Sequence, residues 1–330
     1  MDKTYHDFLA ATWRPAEIES IFTALELEIF DDIAGGCHTA EELSSSKKYH
    51  LPTIKRILAL LTNTGFLAEE DGEYTVESKF APYVLKDSPL YSGTIWLLHQ
   101  RLNRNLFGHL TEMTLSGQSG VNVFSDENHE VWESAMPFLK SLAVISAKNI
   151  VTHFKNNLLQ KDDLKILDLG CGTGMYTSSL LAENPSWTGI GIDNEDVIEI
   201  AKENNRELVE QNRLQFFTGN IFDRFEEIPE VDLIILSNVM HGYNDQENIE
   251  LIKNTRQYLK PDGQILINEF LLTDPADSLE SMFDLFFSLV GTGSSFTPDQ
   301  LIQIFDAADL KKVGEIELES PSTVYLFSQN

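Results

Sequence analysis

An apolar run that ends in three alternating glycines is the feature that most restricts how this chain can fold. The segment Lys165-Ile-Leu-Asp-Leu predicts a short buried strand, and Gly170, Gly172 and Gly174 follow it directly before a helical stretch. Glycines at such a turn remove Cβ atoms where the backbone bends tightly, and they let a ligand contact main-chain amides. This order of strand, turn and helix predicts a site for a nucleotide-like cofactor.

The spacing of the glycines separates two kinds of cofactor. A dinucleotide fingerprint places its third glycine three positions after the second, and that position here is Met175. The spacing therefore disfavours a pyrophosphate. The Asp-x-Gly-x-Gly-x-Gly pattern that begins at Asp168 instead resembles motif I of the class I S-adenosylmethionine-dependent methyltransferases. The resemblance implies that Asp168 and the three glycines bind S-adenosylmethionine.

Two further strand ends supply candidate cofactor contacts. The segment over 188–192 ends in Asp193, whose carboxylate can accept both hydroxyls of a ribose. The alternative is that Asp193 only caps the next helix. The following strand ends at Asn220 and Ile221, where the resemblance places an acid and an apolar residue that hold adenine, and the Asn220 amide oxygen can accept from the adenine amino group. The remaining predicted cofactor residues near these strand ends are Asn194, Phe222, Ser237 and Asn238.

Charge and composition exclude several classes of function. The 330 residues have a formal net charge of −28, which opposes binding to nucleic acid or anionic lipid and favours a small-molecule substrate. With only two cysteines, Cys37 and Cys171, a structural disulfide is not expected, which suits a reducing cytoplasm. No apolar run approaches the roughly 20 residues of a membrane span, and the scattered histidines predict no metal site. We expect a cytoplasmic protein without nucleic-acid or membrane partners.

From Lys165 onward, β-rich runs alternate with helical stretches, which predicts an α/β fold with a doubly wound parallel sheet. The expected strands are 165–170, 188–193, 214–220, 231–239 and 264–272, and the expected helices lie near 175–184, 195–211 and 246–259. The tail predicts two strands, 311–318 and 323–328, whose short link permits only a hairpin. A closing antiparallel hairpin matches a Rossmann-like class I methyltransferase sheet and not the dinucleotide fold.

The first 110 residues predict a different, mainly helical domain. Helical patterns over 15–30, 39–43 and 51–64 precede two short strands divided by Asp71-Gly72, which is the order of a winged helix. Winged helices often bind DNA, but residues 1–100 hold eight Lys and Arg against sixteen Asp and Glu. We therefore predict a homodimerisation domain at 1–110. A helical linker at 111–160 is expected to contribute to an acceptor pocket, and 161–330 to bind the cofactor.

Two polar residues near the ends of the fourth and fifth predicted strands suggest the chemistry. Ligands of a doubly wound sheet lie at the carboxyl ends of its strands, which places His241 beside the cofactor. A phenol has a pKa of about 10 and imidazole one of about 6.5, so a histidine can remove the hydroxyl proton. Glu269 can orient the ring and stabilise its charged form. Alternatively, His241 only bonds the backbone and Glu269 pairs with a surface lysine.

Taken together, these segments resemble the small-molecule O-methyltransferases of the plant caffeic-acid type, including a bacterial branch that acts on antibiotic, pigment and carotenoid intermediates. The resemblance covers essentially the whole chain and implies that His241 is the general base. The chain departs from that family at Gly242, where an acid is usual, and at Tyr243, where tryptophan is usual. Ser237 replaces a frequent basic residue, and the stretch 294–297 lacks a family glutamate.

The sequence thus predicts an S-adenosylmethionine-dependent O-methyltransferase that acts on an aromatic or polyketide-like hydroxyl. Large apolar and aromatic groups in the linker and near the C-terminal helices are the candidates for the acceptor pocket: His99, Trp132, Met136, Met282, Phe283 and Phe286. Two alternatives stay open. The first is methylation at carbon or nitrogen on the same fold, and the second is a non-methylating S-adenosylmethionine-binding regulator or scaffold.

Overall fold

The chain divides into two units, Met1–Asn105 and Leu106–Asn330. The computed structural model describes residues 3–94, 96, 100, 107–117, 129–157, 161–273, 278–290, 293–316, 318 and 321–329. Within these ranges, no helix combines the length and the apolar character needed to cross a membrane.

The first unit consists of helices followed by a hairpin. Among its described residues are the elements α1 (Lys3–Glu26), α2 (Ile29–Ala34), α3 (Ala40–Lys47), α4 (Leu51–Asn63), β1 (Leu67–Glu70), β2 (Glu73–Val76) and α5 (Ala81–Val84). Helix α3 begins as predicted, because the side chains of Thr39 and Glu42 bond each other's backbone amides in a capping box. Asp71 and Gly72 both have positive φ and join the antiparallel strands.

The start of α1 was predicted wrongly. The helix begins at Lys3, before the predicted start at residue 15, and includes Pro15. It ends at Glu26, and Glu28 then adopts a left-handed conformation before α2. The predicted single helix over 15–30 is therefore the end of one helix and the beginning of another.

The second unit alternates helices and strands. Its helices are α6 (Leu110–Ser116), α7 (His129–Asn157), α8 (Met175–Leu181), α9 (Glu195–Asn204), α10 (Arg206–Glu210), α11 (Asp245–Arg256), α12 (Ser278–Val290) and α13 (Pro298–Asp306). Its strands are β3 (Lys165–Leu169), β4 (Thr188–Asp193), β5 (Leu214–Thr218), β6 (Val231–Ser237), β7 (Leu259–Glu269), β8 (Leu310–Ile316) and β9 (Thr323–Gln329).

These strands form one sheet in the order β5-β4-β3-β6-β7-β9-β8. Strands β3 to β7 pair in parallel, and β9 is antiparallel to both of its neighbours. The predicted α/β sheet with a closing C-terminal hairpin is confirmed. Because successive side chains of a strand alternate between faces, β6 contributes Ile234 and Leu236 to one apolar core and Leu233 and Ile235 to the other.

Several element ends differ from the predicted bounds by a few residues, and two larger differences have local reasons. The helix expected over 195–211 is broken at Asn205, whose buried side chain donates hydrogen bonds to the carbonyls of Thr173 and Ala201. Strand β7 starts at Leu259 rather than at residue 264, because Leu259 pairs with Val231 before a register shift. The first difference matters for the site, since Thr173 belongs to the glycine turn.

Candidate active site

The glycine turn after β3 requires glycine at more than one position. Gly170, Gly172 and Gly174 have φ angles of 70°, 53° and 73°, in the left-handed region. A Cβ atom on Gly170 would lie 2.5 Å from Val239 Cγ2, and one on Gly174 would lie 2.8 Å from Asn205 Nδ2. The turn can therefore approach the segment after β6 and the end of α9 closely only because side chains are missing there.

A cavity of about 400 Å³ lies beside this turn, at the carboxyl ends of β3, β4, β5 and β6. The predicted cofactor residues that line it are Gly170, Gly172, Asp193, Asn194, Asn220, Ile221, Ser237 and Asn238. The predicted residues Asp168, Gly174 and Phe222 do not line it. Sequence reasoning missed several lining residues, among them Thr173, Tyr176 and Thr218.

The Asp193 carboxylate is held by two backbone amides. One oxygen accepts from Gly172 N and the other from Asn194 N, both at 2.8 Å. Burial raises the pKa of Asp193, and these two hydrogen bonds oppose the rise. Helix α9 is capped instead by Asn194, whose side chain accepts from Val197 N at 3.1 Å. Each carboxylate oxygen keeps acceptor capacity toward the cavity, which suits a ribose diol.

The loop after β5 contributes Asn220 and Ile221 to the wall of the cavity. The Asn220 side-chain oxygen accepts from Phe222 N at 3.0 Å, so Asn220 shapes its own loop. The Phe222 ring packs edge-on against Tyr243, with centroids 4.9 Å apart. Phe222 therefore supports a wall residue of the cavity, because Tyr243 lines it.

Three buried oxygen atoms near the cavity have no hydrogen-bond partner within the described residues: Asp168 Oδ1, Asn238 Oδ1 and Asn268 Oδ1. Asn238 lines the cavity, Asp168 precedes Gly170 by two positions, and Asn268 donates to Ser237 Oγ at 2.9 Å. A buried acceptor without a hydrogen-bond partner lowers the stability of the fold by about 1–3 kcal/mol. A nucleoside that also carries an ammonium group supplies donors of the kind that such acceptors lack.

Asp168 is buried, and its Oδ2 accepts from Thr177 Oγ1 at 2.8 Å. Burial raises the pKa of Asp168 to about 7, the charge of Asp193 adds to the rise, and the bond from Thr177 opposes it. A cation bound in the cavity would favour the ionised carboxylate. This arrangement suits a positively charged cofactor.

His241 lies in the short turn Met240–Gly242 that follows β6, and its side chain is buried. Its Nδ1 lies 2.7 Å from Glu269 Oε2. The other Glu269 oxygen accepts from Val239 N at 2.9 Å and from Met240 N at 2.7 Å. Glu269 therefore meets His241 and not a surface lysine. Since a carboxylate can only accept, Nδ1 carries the proton, and in the neutral ring Nε2 is left as the basic nitrogen.

The turn that carries His241 borders the cavity. His241 itself is not a lining residue, but Asn238, Val239 and Tyr243 on either side of it are. The imidazole stacks on the ring of Phe287 in α12, with centroids 3.9 Å apart and an interplanar angle of 16°. His241 therefore lies between the border of the cofactor cavity and the aromatic side chains of α12.

The predicted acceptor residues whose side chains the structure describes separate into three groups. Phe283 stacks on Phe270 at 4.1 Å and Phe286 lies edge-on to Phe287 at 5.8 Å, so both belong to the aromatic cluster next to His241. Met136 is buried and lines the cofactor cavity. Met282 faces outward on α12, 63% exposed. His99 and the side chain of Trp132 lie outside the described residues.

Sequence reasoning did not single out Phe287 or Tyr176. Phe287 follows Phe283 by four positions, a spacing that places both on one side of a helix, so helical periodicity was an available signal. Tyr176 follows the glycine turn in an otherwise ordinary first helical turn. Its hydroxyl accepts from Asn268 Nδ2 at 2.9 Å, a contact between residues 92 positions apart that no local pattern indicates.

The model of the O-methyltransferase domain family matches residues 107–310. O-methyltransferase 12 of Dictyostelium discoideum is 29% identical over 163 residues, which are 48% of this chain and 41% of that protein, so the match spans less than half of that relative. The acetylserotonin O-methyltransferase of Gallus gallus is 26% identical over 315 residues, which are 89% of this chain and 88% of that protein.

The solved structure of human N-acetylserotonin methyltransferase in complex with S-adenosylmethionine has the same fold. Its TM-score is 0.86 at 19% identity, and the superposition covers 100% of this chain and 99% of that chain. The family match covers more than half of this chain, and the cavity fits a cationic nucleoside on the observations above. The chain therefore belongs to the O-methyltransferase family and is an S-adenosylmethionine-dependent O-methyltransferase.

Proposed function

We propose that the chain methylates a hydroxyl of an aromatic or polyketide-like small molecule with His241 as the general base. The observation that supports this most directly is the 2.7 Å contact between His241 Nδ1 and Glu269 at the border of the cofactor cavity. The aromatic cluster beside His241 supports a flat acceptor, because aromatic rings favour stacked and edge-on partners. The relative named for acetylserotonin supports the same class.

Several residues would hold the cofactor. The amides of the glycine turn and the Asp193 carboxylate would bind the ribose side, and Asn220 and Ile221 would contact adenine. S-adenosylmethionine supplies an electrophilic methyl group when it is bound. The protein's contribution from alignment is at best on the order of 7–11 kcal/mol of the barrier.

His241 Nε2 would accept the proton of the acceptor hydroxyl, and the Nδ1–H of the resulting imidazolium would still donate to Glu269. Glu269 would keep its contacts with the two backbone amides and with His241 during this transfer. Base catalysis of this kind contributes about 10²–10⁴-fold to the rate.

We also infer that residues 1–110 form a winged-helix dimerisation domain of a cytoplasmic homodimer. Helix α1 exposes Tyr5, Phe8 and Trp13 by 55%, 65% and 71%, and large apolar groups exposed together favour a protein contact. Sedimentation of the full chain tests this inference. Trp13→Glu is expected to shift a dimer toward monomer, while the exposed-surface control Glu69→Gln leaves it unchanged. A wild-type monomer at micromolar concentration contradicts the inference.

Methyl transfer from S-adenosylmethionine with a labelled methyl group, offered to a panel of phenols, naphthols and matched anilines, tests the main proposal. We expect the label on oxygen. His241→Ala should keep its affinity for S-adenosylhomocysteine and lose about 10²–10⁴-fold in kcat. Label on nitrogen or carbon would favour the other acceptor atoms, and tight binding without transfer to any acceptor would favour a regulator or scaffold.

A further inference from the structure

One face of the His241 imidazole is covered by an aromatic ring. Phe287 is only 5% exposed and lies parallel to the imidazole, with centroids 3.9 Å apart and 16° between the ring planes. Glu269 meets the edge of the same imidazole at 2.7 Å. Glu269 of β7 therefore fixes one edge of the imidazole, and Phe287 of α12 fixes one of its faces.

The segment after α12 lies against the backbone of the His241 turn. A Cβ atom on Gly293 would lie 2.1 Å from the His241 carbonyl oxygen and 2.7 Å from Tyr243 N, so only glycine permits this approach. Further along, Ser295 N donates to Asp284 Oδ1 of α12 at 3.0 Å. These contacts fix α12, and with it Phe287, relative to the imidazole.

The same segment is also tied to the chain that continues from β7. Leu272 N donates to the carbonyl of Phe296 at 2.8 Å, beside a bridge between Leu271 and Phe296. Because Glu269 lies just before this contact, the carboxylate and the phenyl ring that hold His241 belong to chain segments joined to one another.

The stacked ring also suits the charge that appears during proton transfer. The face of a phenyl ring is electronegative and attracts a cation placed over it. An imidazolium formed at His241 would lie over the Phe287 face, while Glu269 stabilises it at the edge.

We propose that Phe287 is a positioning residue for proton removal: its ring fixes the plane of the His241 imidazole and stabilises the imidazolium. This inference rests on the proposed role of His241 as general base. Phe287 acts through His241 and needs no contact with the acceptor. Phe283 provides the comparison, because it is a half-buried phenylalanine of the same helix that stacks closely on Phe270, at 4.1 Å, and lies farther from Phe287, at 5.9 Å.

The test compares Phe287→Leu, Phe287→Tyr and the control Phe283→Leu in the full chain, by kcat, by KM and by the proton resonances of the His241 ring in the S-adenosylhomocysteine complex. Phe287→Leu should lower kcat about fivefold to tenfold with the KM for cofactor unchanged. It should also move the imidazole C–H resonances downfield, because the ring current is lost. Phe287→Tyr keeps the ring and should stay within about twofold of wild type. Phe283→Leu should change the acceptor KM and leave the imidazole resonances in place.

If Phe287→Leu does not fold, Phe287→Met replaces it as the variant without a ring. Equal losses of kcat in the leucine variants at 287 and 283, or a tyrosine variant as slow as the leucine variant, would overturn the inference. So would unmoved imidazole resonances in Phe287→Leu. A fully active His241→Ala would instead overturn the proposed base, which keeps the two failures distinguishable.

Discussion

Asn268 and Glu269 are neighbours on β7. Both are fully buried, and their side chains lie on opposite faces of the sheet. Asn268 donates to Tyr176 and Ser237 on the side of the cofactor cavity. Glu269 meets His241 on the other side. Because side chains alternate along a strand, two consecutive polar residues link the cofactor site to the proposed base.

Glu269→Gln is expected to disable the base without loosening the cofactor. The glutamine oxygen would take the amides of Val239 and Met240, which places its NH₂ group against His241 Nδ1. Nδ1 must then be unprotonated and Nε2 protonated, so the ring cannot accept the hydroxyl proton. We expect kcat to fall about 10²–10⁴-fold, as for loss of the base itself. Steady-state kinetics with calorimetry of S-adenosylhomocysteine measures both effects, and an unchanged kcat would exclude this tautomer argument.

The hydrogen bonds of Asn268 are expected to contribute to the free energy of unfolding, and the loss should be larger when both of its acceptors lose their donor. Tyr176→Phe removes the contacts of the hydroxyl with Ser146 and Ser237 but leaves Asn268 with Ser237 as an acceptor, so it should cost about 1–2 kcal/mol. Asn268→Ala removes the donor for both hydroxyls and opens a small void, and should cost about 2–3 kcal/mol. Urea denaturation of the three proteins compares the free energies of unfolding. A larger loss for Tyr176→Phe than for Asn268→Ala would contradict this arrangement.

Asp168 predicts a specific pH dependence of stability. Burial raises its pKa to about 7 in the folded state, against 3.8 for an ordinary Asp. The folded protein therefore holds this proton more tightly than the unfolded chain. The stabilisation from this bound proton is complete below 3.8, the pKa of Asp168 in the unfolded chain, and it is lost as the pH rises through about 7.

Asp168→Asn should remove this fall in stability with rising pH. Relative to wild type, the variant is expected to gain up to about 4 kcal/mol in free energy of unfolding between pH 4 and pH 8, since each pKa unit is worth about 1.4 kcal/mol. Denaturant titrations at a series of pH values, without cofactor, measure the gain. A constant difference across that range would show that Asp168 does not change its protonation there.

Asp193→Asn tests the ribose contact. The amide keeps one acceptor for the backbone at Gly172 or Asn194 but loses the charge that strengthens bonds to the ribose hydroxyls. We expect affinity for S-adenosylhomocysteine to fall about 10–100-fold. Glu199→Gln, whose carboxylate pairs with Lys202 on the surface of α9, is the matched control and should leave affinity unchanged. Equal affinities for Asp193→Asn and wild type would place the ribose elsewhere.

The sequence predicted the sheet well because its signals are local. The glycine turn, the alternation of strands and helices and the short link before β9 each occupy a few consecutive residues, and the structure has each of them. The pairing of His241 with Glu269 was also predictable, because adjacent parallel strands bring their carboxyl ends together.

Contacts that depend on packing were not predictable in the same way. Capping by Asn194 rather than Asp193 depends on which side chain faces the helix start, and both residue types are good caps. The stacking of Phe287 on His241 depends on how close α12 approaches, which Gly293 permits. The break at Asn205 reflects a side chain drawn to the glycine turn, 32 residues away.

The most direct test of the account is the rate ratio between wild type and His241→Ala on one accepted phenol and its halogenated analogues of decreasing pKa, at saturating cofactor. A base is needed only while the acceptor hydroxyl is protonated. The ratio should therefore fall from about 10²–10⁴ for a phenol with a pKa of about 10 to near one for an analogue already ionised at the assay pH. A ratio that stays the same across the series would contradict proton removal by His241.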